Sequence, residues 1–248
     1  MSEYIIGGWT QNPADTSPNS FSFTMYGMVT NLSGLTTGTP QSPGWSPDTT
    51  AAPGGSGKVL WTYGGGGCTP NNMPQNATEV SAIVNATQTK NWAGVDFDDE
   101  CYMNVDMLVE TMSKLKSLNK ECSYTFLAGW DYNNPSASSE GTKINQAVQT
   151  IAQSGAVNRF CLMCYAEAMW SMSDIEANVG PAIKRTIANG VPAKQVILAL
   201  TPAGLNQQNL SYFLNEVTQN GIGGLFIWDY PALPSSYLQQ IEQALLGA

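Results

Sequence analysis

The stretch that decides the fold runs from residue 94 to residue 100 and reads GVDFDDE. Side chains of a β-strand alternate between its two faces, so Asp96, Asp98 and Glu100 share one face while the apolar residues between them serve the other. The pattern predicts a buried strand whose carboxyl end presents several acids together.

Other short apolar runs along the chain have a similar length and are mostly continuous rather than alternating. This is expected of strands that are covered on both faces, as in an enclosed parallel sheet. With Ala93–Phe97 they predict eight strands; the other seven are Tyr4–Trp9, Phe21–Val29, Val59–Tyr63, Ser123–Ala128, Arg159–Tyr165, Gln195–Leu200 and Gly224–Trp228.

Helical patterns lie between most of these runs. In the clearest example, Tyr102–Leu118, the apolar residues recur at the spacing of one helix face. Glycines that follow the last periodic residue, such as Gly155 and Gly190, mark helix ends. The predicted helices are Ala77–Lys90, Tyr102–Leu118, Gly141–Ser154, Asp174–Asn189, Asn209–Asn220 and Ser235–Leu246.

Strands that alternate with helices over 248 residues predict an α/β fold, a single (β/α)8 TIM barrel that forms one domain over residues 1–248. A doubly wound sheet is the competing fold, but neither GxGxxG nor GxxxxGK[ST] follows any predicted strand. The Pro/Gly/Thr-rich stretch Ser33–Gly57 predicts a long loop after the second strand.

The composition excludes several kinds of chemistry. The sequence has no His, which excludes a Ser-His-Asp triad, a Cys-His pair and an HExxH zinc site. A formal charge of −9 offers no basic patch to nucleic acid or to an anionic membrane, so neither is an expected partner. No apolar run approaches the roughly 18 residues that a membrane helix needs.

The first residues, MSEYIIGGWTQ, lack the basic start and the long apolar stretch of a signal peptide. We therefore expect either an intracellular chain or a chain whose leader has been removed, and export is favoured in the second case.

The sequence has five cysteines, so at least one is unpaired. Cys161 and Cys164 form a CxxC inside the apolar run RFCLMCY, with no second pair at zinc spacing. We interpret both as buried core residues rather than as a redox or metal site.

The acids that end the fourth strand are the sharpest chemical feature of the sequence. In a barrel, the face shared by Asp96, Asp98 and Glu100 points inward, and its carboxyl end opens at the mouth where active sites lie. Repulsion and burial are expected to raise at least one carboxyl pKa, which suits proton donation, with Glu100 the expected donor. A solvated acidic loop and a Ca²⁺ or Mg²⁺ site with oxygen ligands remain open as alternatives.

The residues DFDDE at positions 96–100 resemble the DxxDxDxE signature of glycoside hydrolase family 18, the chitinases and endo-β-N-acetylglucosaminidases. Three other strand ends resemble motifs of this family in the same order along the chain. Val59–Gly65 resembles its SxGG strand with Thr62 in place of Ser, residues 163–165 resemble its MxY motif, and Gly223–Trp228 resembles its final GGxxxW.

Two positions depart from the family pattern. Ala93 stands where the first Asp of the signature falls, and Ala166 stands where an Asp or Asn follows the MxY tyrosine. The first departure removes an acid behind the site, and the second removes a polar contact to the sugar.

The resemblance implies a retaining hydrolase of β-1,4-linked N-acetylglucosamine, in which the substrate's acetamide oxygen is the nucleophile and neither a cofactor nor a metal is needed. Glu100 would protonate the leaving oxygen and later deprotonate water. Asp98 would hold the acetamide N–H, helped electrostatically by Asp96, and Tyr165 would bind the acetamide oxygen. The implied substrate contacts are Trp228 beneath the sugar ring, and Met163, Tyr63, Trp130 and Asp99.

The residue before the glutamate bears on the substrate. Asp99 is similar to the residue that endo-β-N-acetylglucosaminidases of N-glycan chitobiose cores carry there, so an N-glycan is favoured over chitin. The expected partner is an oligosaccharide or glycoprotein that contains N-acetylglucosamine, and the protein is expected to be a monomer. Two other functions stay open: a catalytically silent sugar-binding, storage or inhibitor protein on the same barrel, which Ala93 and Ala166 favour, and a divalent-metal phosphohydrolase that uses the clustered acids.

Overall fold

A computed structural model describes residues 4–12, 14–29, 32, 35, 55, 57–165 and 171–247 of the protein. Eight parallel strands form a closed barrel in chain order, and the last strand pairs back onto the first. The predicted (β/α)8 barrel is therefore confirmed. The predicted long loop Ser33–Gly57 lies outside the described residues, apart from Leu35, Gly55 and Gly57.

Every apolar run identified in the sequence contributes one strand. No strand end differs from its prediction by more than two residues: the second strand begins two residues later, the fourth ends two later, the fifth begins two earlier and the sixth ends two earlier. The strands are β1 Ile5–Thr10, β2 Phe23–Val29, β3 Lys58–Gly64, β4 Gly94–Asp99, β5 Glu121–Leu127, β6 Arg159–Met163, β7 Val196–Leu200 and β8 Gly224–Trp228.

All six predicted helices are present, and a short one after β5 was not predicted. Within residues 57–165 and 171–247 the α-helices are α1 Ala77–Thr89, α2 Val105–Ser117, α3 Trp130–Asn133, α4 Ser139–Ser154, α5 Met172–Ala188, α6 Gln207–Gln219 and α7 Ser235–Leu246. No helix in the described part of the chain is long and apolar enough to cross a membrane.

The start of α2 differs from the prediction for a local reason. The periodic pattern begins at Tyr102, but that residue has a φ of 60°, outside the helical region. The helix starts at Val105 because the Asn104 side chain accepts a hydrogen bond from the backbone N–H of Met107 and so caps the first turn.

The core has two layers, as the alternation of side chains along each strand requires. Outward-facing residues pack against the helices in one large cluster. A smaller cluster fills the inside of the barrel, and its buried members are Trp9, Phe23, Met25, Leu60, Cys161, Met163, Ile197, Ala199 and Phe226.

The cysteines separate into two groups. Cys161 and Cys164 are buried and unpaired, as predicted, and Cys122 is a third buried free thiol. Cys68 and Cys101 form a disulfide with their Cα atoms 6.0 Å apart, a pairing that the sequence left undetermined.

Candidate active site

Strand β4 places two of the predicted catalytic acids inside the barrel. Its register aligns Asp96 with Thr62 of β3, and it aligns Asp98 with Thr125 of β5. The Asp96 carboxylate accepts hydrogen bonds from the Thr125 hydroxyl at 2.8 Å and from the Thr62 hydroxyl at 3.3 Å. Neutral hydroxyls on both neighbouring strands therefore hold this carboxyl in the barrel interior.

Burial dominates the electrostatics of Asp96. Loss of solvent raises its pKa to about 7, although the hydroxyls of Thr125 and Thr62 and the charge of Arg159 act in the opposite direction. A carboxyl with this pKa exchanges its proton near neutral pH, which is a property found in acid–base sites.

Asp98 lies nearer the mouth of the barrel and is in a less favourable position as an anion. Its Oδ1 is buried and has no hydrogen-bond partner among the described residues. Burial, followed by the charges of Asp96, Glu100 and Asp99, raises its pKa well above the ordinary value. This oxygen would be satisfied by an N–H or O–H donor of a bound ligand, or by protonation of the carboxyl group.

Glu100 follows the end of β4 and is exposed at the mouth. Its carboxylate faces Gly66 in the loop after β3, since a Cβ added to Gly66 would be 3.7 Å from Oε1. Its charge acts on both Asp98 and Tyr165, so the structure brings these three predicted residues together.

An aromatic surface adjoins the carboxylates. Tyr165 follows β6, and its ring centroid is 6.3 Å from that of Trp228 at the end of β8. Burial, followed by the charges of Asp98 and Glu100, raises the phenol pKa well above its ordinary value and keeps the hydroxyl protonated. A protonated phenol near these carboxylates can donate a hydrogen bond.

Trp228 presents a flat and partly open ring at the same mouth. It is 39% exposed, whereas Trp9 is buried beneath it. The two rings are stacked at 5.3 Å between centroids with an angle of 8° between their planes, because β1 and β8 pair with these residues in register. The stack fixes the orientation of the exposed ring.

The other predicted substrate contacts are less uniform. Trp130 begins α3 and is 58% exposed, so its ring is open to a ligand. Met163 is almost wholly buried in the inner cluster, against which Tyr165 packs. Ala166 lies outside the described residues.

Tyr63, a predicted substrate contact, lies away from the mouth of the barrel. Its side chain is completely buried on the outer side of the barrel, with its ring 5.8 Å from that of Phe97. The register explains the placement, because Thr62 faces inward beside Asp96 and the next residue therefore faces the helices.

Asp99, the other predicted contact on this part of the barrel, is bonded within the protein. Its carboxylate accepts hydrogen bonds from the Tyr124 hydroxyl at 2.7 Å and from the backbone N–H of Met103 at 2.9 Å. Both oxygens are therefore occupied on the outward face of β4, where alternation places this residue.

Sequence reasoning missed the residues that hold the acids in place. Thr125 binds Asp96, Tyr124 binds Asp99, and Trp9 supports Trp228. Strand alternation combined with the barrel register would have indicated Thr125 and Trp9, since each lies beside an inward-facing site residue on a neighbouring strand. Among the described residues no group of three or more His, Cys, Asp or Glu side chains is placed to hold a metal ion.

No protein-family model and no curated protein matches the sequence. Solved structures do match, over nearly the whole chain. A fungal endo-β-N-acetylglucosaminidase from glycosyl hydrolase family 18 is 17% identical with a TM-score of 0.68, and the match covers 98% of this chain and 99% of that one.

Two chitinases show a comparable likeness. A putative chitinase A from Streptomyces coelicolor is 12% identical with a TM-score of 0.66, and 99% of each chain is covered. A class V chitinase from Nicotiana tobaccum in complex with NAG4 is 11% identical with a TM-score of 0.64, and the match covers 98% of this chain and 99% of that one. The protein therefore has the fold of family 18 glycosidases.

Proposed function

We propose that this protein is a family 18 glycosidase that hydrolyses β-1,4 linkages of N-acetylglucosamine with retention, using the substrate's acetamide as the nucleophile. The observation that carries the proposal is the buried Asp98 carboxyl, which has an oxygen without a partner among the described residues and lies between Asp96 and Glu100. Its charge acts on the phenol of Tyr165, whose ring lies 6.3 Å from the open ring of Trp228.

Glu100 is the proton-transfer group of the proposed reaction. It is exposed at the mouth of the barrel, where it can reach the glycosidic oxygen of a bound sugar. It protonates that oxygen as the bond to the leaving sugar breaks. In the second step it removes a proton from the water that opens the oxazolinium intermediate.

Asp98 and Tyr165 act on the acetamide. The Asp98 carboxylate accepts a hydrogen bond from the acetamide N–H, which aligns the carbonyl oxygen with the anomeric carbon and stabilises the positive charge that develops. Tyr165 donates its hydroxyl proton to the acetamide oxygen. The raised pKa of the phenol supports this role because it keeps the donor protonated.

Asp96 lies deeper in the barrel and does not contact the sugar in this proposal. With a pKa of about 7 it can hold either a proton or a charge at working pH. A neutral Asp96 can donate a hydrogen bond to Asp98, and an ionised Asp96 adds to the field that favours the oxazolinium cation.

Trp228 forms the floor of the sugar site. The apolar face of a pyranose ring packs on an aromatic plane, and the stack on Trp9 keeps this plane fixed before the substrate arrives. Trp130, further along the rim after β5, supplies a second exposed ring for a neighbouring sugar.

The substrate is an oligosaccharide that contains N-acetylglucosamine, either an N-glycan chitobiose core or a chitooligosaccharide. The fungal neighbour is an endo-β-N-acetylglucosaminidase and the tobacco chitinase is in complex with NAG4. The sequence-based preference for N-glycans depended on Asp99, whose carboxylate is bonded to Tyr124 and Met103 instead. Both substrates are therefore part of the test.

The test incubates the protein separately with a high-mannose glycoprotein and with chitooligosaccharides, and identifies the products by mass spectrometry. A single N-acetylglucosamine left on Asn identifies an endo-β-N-acetylglucosaminidase, and shortened chitooligosaccharides identify a chitinase. Failure of the wild-type protein to cleave either substrate would overturn the proposal.

A catalytically silent sugar-binding protein on the same barrel is the second candidate, and Ala93 is the observation that favours it. The family carries an acid at this position, and this chain does not. The charged residue that acts on Asp96 is Arg159, whose cation lowers the pKa of Asp96. Calorimetry decides between the two, because tight binding of a chitooligosaccharide without turnover supports the silent protein.

A further inference from the structure

Glu100 stands between two anchored neighbours. On one side Asp99 is fixed by the Tyr124 hydroxyl and the Met103 backbone N–H. On the other side Cys101 forms the disulfide with Cys68. The exposed carboxylate between them is therefore carried by a backbone segment that is fixed on both sides.

The second anchor leads to the surface on which Glu100 rests. Cys68 directly follows the glycine run Gly64–Gly67 at the end of β3, and within that run Gly66 faces the Glu100 carboxylate. The run is attached to β4 by a hydrogen bond of 2.8 Å from the Gly65 N–H to the Asp98 carbonyl. The disulfide adds a second, covalent connection, which joins the residue after the glycine run to the residue after Glu100.

The glycine run needs such a fixed point. Gly64, Gly65 and Gly67 have φ values of 100°, 86° and 75°, which glycine adopts readily because it has no Cβ. The same freedom gives the run many alternative conformations. A covalent link at its end restricts these conformations and keeps Gly66 beneath the carboxylate.

The link is local with respect to the fold. It joins the loops that follow β3 and β4, two strands that are already paired along their length. Neither Cys68 nor Cys101 takes part in any of the eight strand pairs that close the barrel. Loss of the link is therefore expected to act first on the position of Glu100.

We propose that the Cys68–Cys101 disulfide is a positioning element for Glu100, which holds the glycine run against the carboxylate and keeps the acid aligned with Asp98. This inference rests on the proposed function, in which Glu100 is the proton donor. A proton donor that shifts by about 1 Å loses on the order of a hundredfold in rate.

The test compares wild type with the double variant Cys68→Ser/Cys101→Ser on the substrate that wild type cleaves best. We expect kcat to fall tenfold or more, KM to change less than twofold, and the acidic limb of the kcat pH profile to move, since Glu100 and Asp98 are no longer held in fixed relation. A double variant that is folded by circular dichroism and has wild-type kcat and pH profile overturns the proposal, as does mass spectrometry that finds both cysteines free in wild type.

Reduction provides a second route that does not depend on folding of the variant. Treatment of folded wild type with a dithiol should lower kcat in step with the appearance of two thiols at Cys68 and Cys101. The double variant is the matched control, and its kcat should not respond to the dithiol. Full activity after complete reduction of the disulfide overturns the proposal.

The failure of the proposed function would be visible separately. If wild type cleaves neither substrate, the catalytic proposal falls, and hydrogen exchange then tests the positioning role by itself. Faster exchange of the amides in residues 64–68 and 99–103 of the double variant supports the anchor. Unchanged exchange there overturns it.

Discussion

Carboxylates lie at both ends of this barrel, and their surroundings differ. At the amino end, Glu121 at the start of β5 forms salt bridges with Arg159 at 2.7 Å and with Lys58. At the carboxyl end, Asp96 is held by neutral hydroxyls, and Asp98 faces the charges of other carboxylates.

The pKa values follow this difference. Burial alone would raise the pKa of Glu121, but the charge of Arg159 and its contacts with Lys58 lower it. Burial raises the pKa of Asp96 to about 7, and burial followed by the charges of the neighbouring carboxylates raises the pKa of Asp98 well above its ordinary value. The amino end is arranged for stability, and the carboxyl end keeps its acids without neighbouring cations in contact, as proton transfer requires.

The largest expected effect is on kcat, which should depend on an acid at the carboxyl end of the barrel and not on one at the amino end. Glu100→Gln removes the proposed proton donor and should lower kcat by about a thousandfold or more. Glu121→Gln is the matched control, since it makes the same change at the opposite end and should leave kcat within about threefold. Equal kcat values in steady-state assays of the two variants would contradict the assignment of Glu100.

The next effect is on the free energy of unfolding, to which the ion pairs at the amino end should contribute. Arg159→Met removes the cation from the buried pair at the amino end and should lower the free energy of unfolding by about 3 kcal/mol at pH 7. Chemical denaturation measures this loss. A loss below about 1 kcal/mol would show that Lys58 alone compensates Glu121.

The stability that Arg159 provides should depend on pH, because it requires an ionised Glu121. The folded-state pKa of Glu121 is lower than 4.5, so its ion pairs stabilise the fold above that pH and lose their effect as the pH falls through the lowered value. The stability difference between wild type and Arg159→Met should therefore shrink in acid.

Asp96 should show the opposite pH dependence of stability, because its pKa is raised in the folded protein rather than lowered. Its pKa rises from 3.8 to about 7 on folding, so its charge costs no stability below pH 4 and the full amount above pH 7. Asp96→Asn should therefore gain stability relative to wild type between pH 4 and pH 8, by up to about 4 kcal/mol. Unfolding curves at the two pH values measure the gain, and a difference that is independent of pH would contradict the buried, protonatable Asp96.

The smallest effect concerns the hydroxyl that binds Asp96. Thr125→Val removes a hydrogen bond of 2.8 Å that favours the charged form, so the pKa of Asp96 should rise further. One lost hydrogen bond is worth about 1 kcal/mol, which corresponds to a shift of less than one pH unit. The acidic limb of the kcat/KM profile should move to higher pH by that amount, whereas Thr201→Val, at the buried residue that follows β7, serves as a control without this contact.

The sequence was sufficient for the fold and for the acids. Strands covered on both faces read as continuous apolar runs, so their number and order could be counted, and the alternation along β4 placed Asp96 and Asp98 inside the barrel. The same alternation, applied across neighbouring strands, would have placed Tyr63 outside.

The remaining features depend on contacts between distant parts of the chain. Nothing near Glu121 in the sequence indicates that Arg159 neutralises it, because the two residues meet only when β5 and β6 pair. The disulfide partner of Cys101 was undetermined for the same reason, since any of the cysteines could pair by count alone. Asp99 was assigned to the substrate because of its position in the motif, although alternation along β4 places its side chain on the outward face.

The stereochemistry of hydrolysis tests the central claim most directly. Proton NMR during the first minutes of cleavage reports which anomer of the new reducing end appears before mutarotation. Substrate-assisted catalysis by Glu100 and Asp98 predicts the β-anomer first, and the Glu100→Gln variant should give no signal on the same time scale. First appearance of the α-anomer, or wild-type rates in the variant, would contradict the account.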